Sequence, residues 1–181
     1  MEGSPRSSPP GAAQQNRETS ARTQAVLTSS AMNHPSLPPR MARVLPIALL
    51  VHQAEEWFGG FPEWTSVAFG DGVEPEQFLL INAIGLLLIT FWTVAAFWDP
   101  RISWIVVSFA ALLGLNAVLH ALATLLLGLY SPGTVTGLLV SLPLSVIVLR
   151  SSADGMPNSQ FLGAILPGVL LHGAVTFIAL A

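Results

Sequence analysis

VLPIALLVHQAEEWFGGF, residues 44–61, decides how this chain is read. Its first half is an unbroken apolar run suited to lipid or a deep core. Its second half sets His52, Glu55 and Glu56 within two helical turns of that run. Positions three and four apart on a helix share a face, so all three side chains project within an arc of about 100°. A charged side chain near the middle of a membrane span costs about 2.5–3.5 kcal/mol. Two adjacent carboxylates at that depth need partners: histidines, a metal ion, a shared proton or water. If the apolar helix ends near Leu50, the same residues form only an interfacial cap.

The rest of the chain favours the membrane. Of its 181 residues, 52% are hydrophobic and 9% charged, against about 25% charged in an average soluble domain. The class is an integral membrane protein, an all-α polytopic helical bundle. The net charge of −3 and the lack of a basic patch argue against a nucleic-acid partner. With no cysteine there is no disulfide, thiolate ligand or thiol nucleophile. All seven basic residues are arginine, which together with the Ala, Leu, Gly and Val bias reads as a GC-rich bacterial genome.

Residues 1–40 are rich in Pro, Ser, Gln and Thr and lack apolar periodicity. They cannot bury enough surface to offset chain entropy and are expected to be a disordered tail. MARVLPIALLV reads as an alternative start at Met41. Apolar segments with sharp edges follow. Segment one covers roughly 44–61, and segment two, 77–98, is 22 residues without a charge. Residues 102–149 run for 48 residues with no formal charge, and YSPG at 130–133 divides them into 102–129 and 134–149. Segment five covers roughly 159–180. A crossing takes about 20 apolar residues, so segments two, three and five qualify easily and one and four are short. The expectation is about five transmembrane helices in residues 41–181.

Charge placement gives a topology. Arg40 and Arg43 precede segment one, Arg101 lies between two and three, and Arg150 follows four. The loop after segment one carries Glu63, Asp71, Glu74 and Glu76, read as a solvated loop. The positive-inside rule then puts the N-terminus in the cytoplasm and the C-terminus outside, in a bacterial inner membrane.

Three of the four histidines fall within spans: His52, His120 and His172. Asn116 joins them, i,i+4 from His120. All lie on odd-numbered segments, which run the same way. At about 1.5 Å per residue, they sit roughly 13–27 Å from the inner end of their segments, so one shared site can be drawn.

The pattern resembles a bacterial membrane-protein family named after its HXXEE motif. HQAEE (52–56) is that motif. The likeness continues through Asn116-Ala-Val-Leu-His120, the late His172, YSPGTVT (130–136) and LPL (142–144). It covers roughly residues 44–181 and implies a candidate site rather than a reaction.

The residues themselves admit several chemistries. His52, Glu56, His120 and His172 offer the nitrogen and oxygen set that a divalent metal such as zinc or iron accepts. The second glutamate is then a general base on a metal-bound water, with Asn116 orienting His120 or holding a substrate carbonyl. Which glutamate is ligand and which is base stays open; the catalytic candidates are Glu55, Glu56 and Asn116. Hydrolysis of a lipid or a membrane-embedded bond is the natural reaction. Alternatives are a metal-free carboxylate–imidazole unit, a proton or metal-ion relay in a small transporter, and a structural protein whose polar residues join helices.

Overall fold

Pro46 lies in the first turn of helix α1, Leu45–Phe58, where its missing N–H leaves no helical bond unmade. The computed structural model describes residue 20 and residues 39–70 and 72–180. The tail expectation therefore lies almost wholly outside the described residues. A five-residue 3₁₀ turn, Arg40–Val44, leads into α1. After α1 come α2, Phe61–Phe69, and α3, Pro75–Trp98. Helix α4, Trp104–Leu127, follows a 3₁₀ turn at Pro100–Ile102. Helix α5, Thr134–Ala153, contains a π-helical turn at Gly137–Ser141, and α6 is Asn158–Leu180. Among the described residues there is no strand.

The all-α bundle read from the sequence is what folds. Among the described residues, four helices are long and apolar enough to cross a membrane: α3, α4 with its lead-in, α5 and α6. Segment one is shorter. Its helix has 14 residues and stops where the chain turns at Gly59 and Gly60. The acidic loop after it is partly helical, because Phe61–Phe69 forms α2 with Pro62 in its first turn.

Neighbour contacts set the helix directions. Arg43, before α1, lies 4.3 Å over the ring of Phe97 near the end of α3. Further along, Gln53 donates to the Asn82 carbonyl, and Trp57 stacks on Phe78 near the start of α3. Helix α1 is thus antiparallel to α3. Helices α4 and α6 run parallel: Ser108 donates to the Ala164 carbonyl at 2.6 Å, and Asn116 meets His172 farther along. The Ser108 bond serves a carbonyl in the turn just before Pro167, where proline disrupts the helical ladder. The two backbones approach closely there. A Cβ on Gly168 would fall 2.0 Å from the Ser108 carbonyl oxygen, so only glycine fits.

Helix α4 is the central element, with Val106, Ala110, Leu113, Gly114, Ala117 and His120 all buried. The core divides along its length. Around its first half, Leu45, Ala48, Ile89, Ala96, Val106 and Val148 form an apolar cluster. Around its second half lie the buried polar side chains His52, Glu56, His120, Ser131 and Thr134. On α1 one stripe, Leu45, Ala48, His52 and Glu56, passes from the first environment into the second.

Candidate functional site

The buried stripe of α1 delivers His52 and Glu56 to α4 and to the loop between α4 and α5. His52 is 2% exposed, Glu56 6% and His120 6%. Their ligand-type atoms, with one offered by each residue, all lie within 4.8 Å of one another. Glu56 Oε1 is 3.0 Å from His120 Nε2 and 3.4 Å from His52 Nε2. The two rings meet edge to face with centroids 5.0 Å apart.

The outer ring nitrogens are fixed by hydroxyls. Thr136 Oγ1 is 3.1 Å from His52 Nδ1, and Ser131 Oγ is 2.9 Å from His120 Nδ1. Asn116 Nδ2 donates to His52 Nε2 at 2.6 Å. An amide nitrogen can only donate, so His52 Nε2 carries a lone pair and its proton sits on Nδ1, facing Thr136. His120 Nε2–H donates to Glu56. His52 Nε2 and Glu56 Oε1 lie 3.4 Å apart.

The YSPGTVT turn closes over this cluster. Gly133 has φ +100°, and a Cβ there would fall 2.8 Å from His52 Cε1, 3.0 Å from His120 Cε1 and 3.1 Å from Glu56 Cγ. Both the backbone angle and the space demand glycine. Pro132 is fully buried, and a Cβ on Gly59 would press on it at 2.8 Å. Thr124 Oγ1 accepts from the Ser131 N–H at 2.9 Å and ties the turn to α4.

Glu55 has a different setting. It accepts from the N–H of Val135 at 3.0 Å, the N–H of Thr136 at 2.6 Å and the hydroxyl of Tyr130. Val135 and Thr136 are in the first turn of α5, where N–H groups have no helical partner. The Glu55 carboxylate thus caps α5 from α1, with the favourable sign for a helix N-terminus. Tyr130 stands outside the spanning helices; partial burial and then the adjoining Glu55 carboxylate push its phenol up to about 12.

His172 stands one hydrogen bond away from the cluster. Its Nε2 donates to Asn116 Oδ1 at 2.9 Å, and its Nδ1 is 3.2 Å from Thr176 Oγ1. Of the residues singled out in the sequence, the structure brings His52, Glu56 and His120 into one group. It sets Asn116 against them, Glu55 on the α5 terminus and His172 behind Asn116. Ser131, Thr136 and Gly133 complete the site. Their sequence signal was the YSPGTVT turn, which read as a helix break and as part of the family resemblance, without roles for these residues.

No curated protein and no solved structure is significantly similar to the chain. Residues 43–148 match the family described as protein of unknown function with HXXEE motif. That stretch holds His52, Glu55, Glu56, Asn116, His120 and the turn, and ends before α6 and His172. The match covers more than half of the sequence, and the chain belongs to this HXXEE family.

Proposed function

We propose that this protein is a metal-dependent membrane enzyme whose ion is held by His52, Glu56 and His120. The observation that carries the reading is that ligand-type atoms of the buried His52, Glu56 and His120 all lie within 4.8 Å of one another. The spacing supports a metal. Ligands at 2.0–2.1 Å from a tetrahedral ion are roughly 3.3 Å apart, and Glu56 Oε1 lies 3.0 and 3.4 Å from the two histidine nitrogens. Anchoring of both outer ring nitrogens, by Thr136 and Ser131, is the usual support for metal-bound histidines.

Three protein ligands leave a fourth position, the pattern of catalytic rather than structural zinc sites. A bound zinc or iron ion would supply an activated water or a polarised carbonyl. A bound ion would take the His52 lone pair that now accepts from Asn116, freeing the Asn116 amide to orient what occupies that position. Glu55, with its three donors, serves as the clamp on α5 and not as base. Hydrolysis of a bond within the membrane is the reaction this arrangement suits. Arginine placement further supports a bacterial inner membrane with the N-terminus cytoplasmic, the C-terminus outside and the site in the outer half.

A metal-free reading has one observation in its favour, the 3.0 Å bond between His120 and Glu56. It makes the pair a carboxylate–imidazole acid/base or proton-relay unit. Elemental mass spectrometry on the full chain in mild detergent separates the two. Near-stoichiometric zinc or iron, lost in both His52→Ala and His120→Ala, is the expected result. Folded wild-type protein without metal would transfer the site to the proton reading.

A further inference from the structure

Helices α4 and α6 leave a cavity of about 480 Å³ between them, walled by Leu115, Leu119, Val169 and Phe177. Its polar lining side chains are His172 and Thr176. The volume lies in the range of small-molecule sites, about 300–1,000 Å³. Both helices are apolar enough to span a membrane, so the groove opens toward hydrocarbon. Its polar end connects inward through His172, Asn116 and His52, by bonds of 2.9 and 2.6 Å.

Proton bookkeeping along that chain defines what the polar end can accept. Asn116 donates to His52 through Nδ2, so its Oδ1 accepts from His172 Nε2–H. Neutral His172 then has an acceptor at Nδ1, and Thr176 Oγ1–H donates to it at 3.2 Å. The Thr176 hydroxyl has spent its one proton and keeps lone pairs facing the groove. The groove wall thus lacks a free donor and has a free acceptor.

We infer that the α4–α6 groove binds one hydrocarbon chain bearing a hydrogen-bond donor at its polar end, a long-chain alcohol or a monoacyl lipid with a free hydroxyl. The hydroxyl donates to Thr176 Oγ1, and the chain lies along Leu115, Leu119 and Phe177. This names a substrate class for the proposed enzyme and rests on that reading for its chemistry; the donor bookkeeping is that of the metal-free site, where His52 Nε2 accepts from Asn116.

The test uses the full chain in detergent with two photoactivatable probes, a diazirine-bearing hexadecanol and its methyl ether. Labelled positions and metal content are read on the same samples. Labelling is expected to concentrate on residues 115–119 and 169–177. The alcohol should exceed the ether about fivefold, the ratio given by one ordinary hydrogen bond. Thr176→Val should level the two probes. Gly173→Leu should remove groove labelling with metal content unchanged; a Cβ on Gly173 meets nothing within 4 Å, so the helix accepts the change. Equal labelling by both probes in the wild type would overturn the inference. Labelling spread evenly onto the exposed α3 face at Leu79, Leu80 and Leu87 would do so as well. Groove-specific labelling of a protein without metal would uphold the groove and refute the metal reading alone.

Discussion

The two halves of the bundle are held by different physics. In the half around Leu45, Ile89, Val106 and Val148, apolar side chains fill most of the space, and the buried hydroxyls of Thr93 and Ser145 have no hydrogen-bond partner among the described residues. In the half around His52, Glu56 and His120, every ring nitrogen of the two histidines has a polar partner. The first half tolerates change in proportion to volume lost. The second fails when one partner is removed, because the remaining charge is left in a place without water. The α1 stripe joins the two, so one short helix carries both kinds of constraint.

His120→Ala should have the largest effect. It strips the buried Glu56 carboxylate of its 3.0 Å donor, and leaving a buried charge without its partner costs about 3–5 kcal/mol. Denaturant or SDS titration of the solubilised protein reads this, and metal should be lost as well. Leu45→Ala in the apolar half should cost about 2–4 kcal/mol through an unfilled cavity. Its folded fraction should keep metal at wild-type stoichiometry, and loss of metal there would erase the contrast between halves. Gly133→Ala adds a Cβ to a left-handed residue and into contact with both histidines. A cost of about 1–3 kcal/mol with weakened metal retention is expected, and an unaltered protein would show that the turn is not a close lid.

The smallest effect is at the rim of the polar half. Tyr130 has its phenol raised to about 12, above its unfolded value near 10. The protonated phenol donating to Glu55 therefore contributes fully below about pH 10. That contribution fades as pH rises through about 12, and between pH 5 and 9 it should be constant. Tyr130→Phe should cost about 1 kcal/mol in that neutral range and remove the alkaline loss, as thermal unfolding across pH would show.

Much of the fold was legible because lipid imposes a simple code. Long apolar runs with charged or Pro-Gly edges marked α3, α4, α5 and α6 to within a few residues. Helix α2 was missed since Pro62 and Glu63 give Phe61–Phe69 the look of a loop, and hydropathy does not register a short helix of mixed polarity. The site was legible where spacing alone decides it: His52 with Glu56, and Asn116 with His120, each i,i+4. The separate tasks of Glu55 and Glu56 were not. Adjacent helical residues differ by about 100° in direction, and which one faces inward depends on the rotation of α1 against α4 and α5, a tertiary quantity. Ser131, Thr136 and Gly133 were hidden for the same reason: their partners are 11, 84 and 81 positions away, respectively, for His120, His52 and the same His52 ring.

The most direct test compares the two adjacent carboxylates. Glu55→Gln and Glu56→Gln would be purified side by side, with metal per folded chain measured in each. The account predicts near-wild-type metal and a stability loss of about 1 kcal/mol for Glu55→Gln, the cost of weakening a helix cap. It predicts metal lost from Glu56→Gln. Equal metal in both variants, or loss confined to Glu55→Gln, would contradict the assignment of Glu56 as ligand and Glu55 as clamp.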